Sequence, residues 1–181
     1  MQYARMKMSP IRVLKFGHLV YEVSDVERTA KFWTDVMGFQ VSDVNGKGMV
    51  FLRYGTDHHG IGLKLGKAKR RPTPADGLMV EHLAMEVANV DALLEARDYL
   101  REIGIGIVFE GRKGAGCNYS VYFEDPDGYQ FELYCNIDQI DENGQTRPAT
   151  QYRPARSLEE AVANPLPLSW RRSGDLIVDR R

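Results

Sequence analysis

Little in this chain of 181 residues is in excess. Cysteine occurs twice, at Cys117 and Cys135. Two thiols cannot make the disulfide framework of a small secreted scaffold, and they read as reduced side chains of a cytoplasmic protein. No apolar run approaches the roughly eighteen residues of a membrane-spanning helix. The first ten residues, MQYARMKMSP, are basic, but no apolar stretch follows them, so no secretory leader is expected. Neither charge dominates: 24 Lys and Arg stand against 25 Asp and Glu. That balance excludes the strong positive field used by nucleic-acid and anionic-membrane binders. Histidine is scarce too, with four in the chain: His18, His58, His59 and His82. Hydrophobic residues make up 43%, enough to core one domain or two small halves.

Two of those histidines open the same phrase. HLVYEVSDV starts at His18 and HLAMEVANV at His82, an offset of 64 residues, with five of nine positions identical. Such self-similarity predicts a duplicated module. In the first copy, Val13–Val23 reads as a strand and Asp25 as a helix cap. Ala30, Phe32, Trp33, Val36 and Met37 follow at helical spacing, and Gly38 marks the helix end. QVSDV and KGMVFLRYG read as strands about an Asn45-Gly46 turn, with HHGIGLKLG as a third. In the second copy, Glu81–Val87 is a strand. Asn89 or Asp91 caps a helix reaching Ile103, with Ala92, Leu93, Ala96, Tyr99 and Leu100 as its apolar stripe. GIVFEG is a short strand, and CNYSVYFE and YQFELYC form a hairpin about DPDG. Phe109 is assigned to the core. KRRPTPADG links the halves. The fold expected is α+β: two tandem βαβββ modules, about residues 11–67 and 78–136, paired about a pseudo-twofold axis into one domain, 11–136. A C-terminal extension follows, 137–181.

Strand side chains alternate, so His18, Val20 and Glu22 share a face, as do His82, Ala84 and Glu86. Matched histidines on matched strands could approach one another across the axis. An acid on an apolar strand is costly unless paired or ligating. Glu132, in YQFELY between Phe131 and Leu133, is such an acid. Two histidines and one carboxylate make the facial set of a first-row metal site with open positions. His18, His82 and Glu132 are therefore the expected metal ligands.

The combination GHLVYEV, FLRYGTDHHGIGL, EHLAMEV and YFEDPDGYQFELY resembles the vicinal oxygen chelate superfamily, over roughly Leu14 to Asn136. Within it, the chain is similar to type I extradiol ring-cleaving dioxygenases. That resemblance implies Fe(II), with Mn(II) as the alternative ion. It implies His59 as the acid/base residue and Tyr122 as a donor to a substrate oxygen. The implied substrates are a small aromatic diol and dioxygen, with ring opening beside the hydroxyls. It also implies a homodimer or a higher homo-oligomer. Where the family usually has Gly-Arg-His-Gly, this chain has Gly111-Arg112-Lys113-Gly114, which makes Lys113 a candidate substrate contact. His58, beside His59 on an expected strand, should face away. Simple pairing about DPDG would set Tyr122 opposite Phe131, on the face away from Glu132. The resemblance therefore requires a bulge or an odd-length turn. Two other readings stand beside the dioxygenase: a metal-dependent isomerase or epimerase, and a non-catalytic small-ligand-binding protein.

The extension carries Pro148, Pro154, Pro165 and Pro167 and one helical stretch, Ser157 to Ala163, with the capping pair Ser157 and Glu160. Leu166, Leu168 and Trp170 alternate as anchors, so the extension is expected to wrap its own domain or a partner subunit.

Overall fold

The computed structural model describes residues 14–76, 79–140, 144–167 and 172–173. The chain divides into two compact units at Lys67/Ala68. The first unit runs β1 (Leu19–Val23), α1 (Val26–Asp35), β2 (Gln40–Val44), β3 (Val50–Arg53) and β4 (Ile61–Leu65). The second runs β5 (His82–Glu86), α2 (Val90–Glu102), β6 (Ile107–Arg112), β7 (Tyr119–Glu124) and β8 (Gln130–Cys135), and then α3 (Leu158–Ala163). Each unit has one four-stranded sheet, in the orders β1-β4-β3-β2 and β5-β8-β7-β6. The first strand lies parallel to the last in both, and the other pairings are antiparallel. These are the two tandem βαβββ modules that the repeat predicts. Val13, the expected first residue of β1, lies outside the described residues, and β1 begins at Leu19, so His18 precedes the strand rather than riding on it.

Helix starts follow the caps. Asp25 accepts from Arg28 N at 2.9 Å, and Asn89 from Ala92 N at 3.0 Å. Gly38 and Gly104 end α1 and α2 at φ 70° and 81°. α1 buries Phe32 and Trp33, and the Trp33 indole N–H donates to the Tyr21 hydroxyl at 2.8 Å. α2 buries Leu93 and Leu100 as expected, but Tyr99 is exposed and Arg97 is buried in its place. Arg97 bonds Asp98, Glu110 and Glu159, which joins α2 to β6 and α3.

Turn chemistry sets the register of two hairpins. Asn45–Met49 and Asp125–Tyr129 are both five-residue loops. In each, the first side chain accepts two backbone N–H groups and the fourth residue is a left-handed glycine, Gly48 or Gly128. The odd length at 125–129 pairs Tyr122 directly with Glu132. The correction that the resemblance requires is therefore present, as a turn. A bulge at Val108 does the same for β6: Ile107 pairs with Phe123, but Phe109 pairs with Tyr122. Phe109 thereby leaves the core face to which its sequence context assigned it.

The extension docks on the second unit. Arg112 and Ala155 exchange backbone hydrogen bonds of 3.0 and 2.9 Å. The Arg112 guanidinium, 1% exposed, donates to the carbonyls of Arg153, Ala161 and Asn164, the last two at the end of α3. Ser157 caps α3 by accepting from Glu160 N at 3.0 Å. Arg147 grips Asp138 through two bonds of 2.8 Å. Leu166 is buried, while Leu168 and Trp170 lie outside the described residues. Among the described residues no helix is long and apolar enough to cross a membrane. Both cysteines are free and buried, and burial pushes the Cys135 thiol up to about 12.

Gly111 is the tightest point of that docking. Its φ is +133°, and a Cβ there would stand 2.2 Å from the Ala155 carbonyl oxygen. Gly111→Ala is expected to cost about 2–4 kcal/mol, from backbone strain together with displacement of the extension. Urea unfolding measures it; a variant within about 0.5 kcal/mol of the parent would show that Ala155 does not bear on β6.

Candidate functional site

One face of the second sheet is apolar and lies under α2. It carries Val121, Phe123, Phe131 and Leu133, all buried. The other face carries the polar residues. Glu132 is 4% exposed and is met from several sides. Asn118 Nδ2 and Ser120 Oγ donate to its Oε1 at 2.9 and 2.6 Å. The Tyr122 hydroxyl donates to Oε2 at 2.9 Å, and His82 Nε2 lies 3.1 Å from the same oxygen. A carboxylate has about four acceptor positions, so these four groups fill it. Burial, and then the bond to Glu132, raise the Tyr122 hydroxyl well above the usual phenol range, which keeps it a donor.

His82 is held at both ends, since its Nδ1 lies 3.0 Å from Glu81 Oε2. An aromatic corner stands beside this network. Phe109 packs edge-on to Tyr122 at 5.7 Å between ring centroids. The Lys113 ammonium lies 3.9 Å from the Tyr122 ring centroid and 5.1 Å from that of Phe109. Ala84, paired with Glu132 in register, is exposed. The second unit thus brings together His82, Lys113, Tyr122 and Glu132. Glu81, Asn118 and Ser120 were not anticipated. Ser120 was within reach of strand alternation, because it lies two residues from Tyr122 and so shares its face.

His18 and His59 belong to the first unit. Their ring centroids are 4.5 Å apart, and Phe51 packs on His59 at 4.9 Å. The segment before β4 is not a strand, so alternation does not apply to it. His58 accordingly turns toward His59, with Nδ1 atoms 3.0 Å apart, instead of facing away. Burial, then the neighbouring His18 and His58, lower the His59 pKa.

The expected metal centre is overturned. Among the described residues, no group of three or more His, Cys, Asp and Glu side chains is arranged to hold a metal ion. The physical reason lies in the donor set. The acceptor positions of Glu132 are taken by protein donors, and both His82 nitrogens face carboxylates. His18 packs on the His59 ring. The Fe(II) or Mn(II) cofactor does not fit these residues. The metal-dependent extradiol cleavage of a catechol, and the non-haem iron dioxygenase built on it, fall with that cofactor.

Residues 15–133 match the family model of the Glyoxalase/Bleomycin resistance protein/Dioxygenase superfamily. The chain belongs to this superfamily. Its relatives there are diverse. A manganese-dependent 2,3-dihydroxybiphenyl 1,2-dioxygenase of Geobacillus genomosp. 3 is 25% identical over 130 residues, which is 70% of this chain but 38% of that protein. The chain thus spans well under half of that relative. A probable lactoylglutathione lyase of Vibrio parahaemolyticus is 28% identical over 135 residues, covering 71% of this chain and 94% of the lyase. Among solved structures, an integron cassette protein from V. cholerae superposes with a TM-score of 0.52 at 28% identity, over 68% of this chain and 96% of that one. The two named relatives carry different activities, one a dioxygenase and one a probable lyase.

Removing Glu132 strands four polar groups. Glu132→Ala is expected to lose about 3–5 kcal/mol of stability, and Glu132→Gln about 1–3 kcal/mol. Urea midpoints for both variants check this, and equal losses would mean that hydrogen bonding to the carboxylate is not what counts.

A second prediction concerns His59. Its folded pKa lies below the unfolded value of about 6.5, so the unfolded chain takes up the proton first as pH falls. The stability contribution is therefore intact above about pH 6.5 and declines as pH drops toward the folded pKa. His59→Gln should flatten the stability profile between about pH 7 and 5. Parallel profiles for parent and variant would contradict the assignment.

Proposed function

We propose that this protein is a small-ligand-binding member of its superfamily that holds a ring-hydroxylated aromatic molecule against the polar face of the second sheet. One observation carries the reading: Glu132 is satisfied by Asn118, Ser120, Tyr122 and His82, so the polar floor is organised by the protein alone. A satisfied buried network is rigid, and a rigid floor lowers the ordering cost of binding. Phe109, half-buried, offers aromatic surface for a ring, and Lys113 offers an exposed cation to its oxygens. The name of the dihydroxybiphenyl dioxygenase relative supports the ligand class.

Calorimetric titration with catechol and 2,3-dihydroxybiphenyl in the presence of a chelator tests the reading. Saturable binding is expected, weakened about tenfold by Phe109→Ala and by Lys113→Ala, which is about 1.4 kcal/mol each. Binding that appears only on addition of Fe(II) or Mn(II), or no saturable binding at all, would overturn it.

A second reading draws on the cluster in which His82 and the Tyr122 hydroxyl meet one oxygen of Glu132, a set of side chains of the types used in general acid–base chemistry. It supports a proton-transfer isomerase. The coverage of 94% of the probable lactoylglutathione lyase favours it. Deuterium wash-in at a carbon next to a carbonyl, lost in Tyr122→Phe, is its signature.

A further inference from the structure

The first unit has a cavity of about 200 Å³ lined by Lys15, Arg53, Tyr54, Thr56, Asp57 and His59, with Gly55 and Gly60. Its charges do not cancel. Lys15 and Asp57 pair with each other. Arg53, half-buried at the end of β3, donates one N–H to the Gly55 carbonyl at 3.0 Å, and among the described residues no carboxylate pairs with it. That bond orients the guanidinium and leaves the rest of its fork unspent, so the cavity keeps one fixed, uncompensated positive charge.

The other walls are aromatic. Tyr54 is 75% exposed; its ring packs on Phe39 at 5.4 Å and lies flush against Gly60, where a Cβ would stand 2.7 Å from a ring carbon. His59 is braced from behind by Phe51.

From this arrangement we infer that the first-unit cavity is a binding site for a small aromatic carboxylate, with the carboxylate on Arg53 and the ring between Tyr54 and His59. A single unpaired guanidinium matches a monoanion in bidentate fashion. The cavity is smaller than the roughly 300–1,000 Å³ of sites for drug-sized molecules, so one ring with one carboxylate is the size class. Phosphate has no apolar face and leaves the aromatic walls unused. This site does not rest on the reading of the second sheet.

The test follows the backbone amides of Gly55, Thr56 and Gly60 by two-dimensional NMR while benzoate, neutral benzamide or inorganic phosphate is added to the full chain. Benzoate should shift these signals saturably with a Kd of about 1 mM. Benzamide and phosphate should each be at least about tenfold weaker. Arg53→Gln should weaken benzoate about tenfold or more with the remaining spectrum unchanged. Tyr54→Ala, which removes a mostly exposed side chain, should weaken it as well, and Glu132→Gln should leave it unaltered. Equal benzoate binding by the Arg53 variant, phosphate binding as strong as benzoate, or no saturation by about 20 mM would each overturn the proposal. Loss of benzoate binding in Glu132→Gln would also overturn it, by assigning the shifts to the second sheet.

Discussion

Everything on the polar face of the second sheet depends on the length of one turn. Asp125–Tyr129 has five residues, with Asp125 holding two backbone N–H groups and Gly128 supplying the left-handed step. An even-numbered loop would rotate β8 by one residue against β7 and send Glu132 to the face occupied by Phe131. The carboxylate would then lie among apolar side chains, and Tyr122, Ser120 and Asn118 would have no common acceptor. The bulge at Val108 extends the same logic by one strand, because it turns Phe109 toward Tyr122. The turn and the bulge together thus give the second sheet its furnished side.

A furnished side has an energetic consequence. A buried carboxylate is tolerable only when paired or fully hydrogen-bonded. Here four protein groups meet that need. The same side-chain types could satisfy a carboxylate by binding a metal, but a carboxylate saturated by neighbours has no lone pair left to offer. Composition alone cannot distinguish these outcomes. The difference lies in whether Asn118, Ser120 and Tyr122 point at Glu132, and that is a matter of register.

The modules are legible in the sequence, because the phrase led by His18 and His82 repeats and because caps and glycines bracket each helix. The helices begin one residue after Asp25 and Asn89, as capping requires. Hydrophobic spacing was less reliable at helix edges: Arg97 takes the place given to Tyr99 because three carboxylates surround it. At the site, Glu132 stands out as an acid in an apolar strand, while Tyr122 and Lys113 come from the family resemblance alone, since simple pairing sets Tyr122 on the opposite face. The partners of Glu132 were not read, since Asn118 and Ser120 are ordinary polar residues until the register is known. His58 was misjudged by applying strand alternation to a stretch that forms no strand.

The extension has a further effect on the sheet to which it is fastened. β6 is the last strand in its sheet, so its outer backbone groups would otherwise be free. Ala155 pairs with Arg112 there, and α3 stands alongside. An open strand margin is a template on which another chain can continue the ladder. By occupying that margin with its own later residues, the molecule terminates its sheet from within and blunts the route by which an uncovered β6 would recruit copies into an unbounded stack.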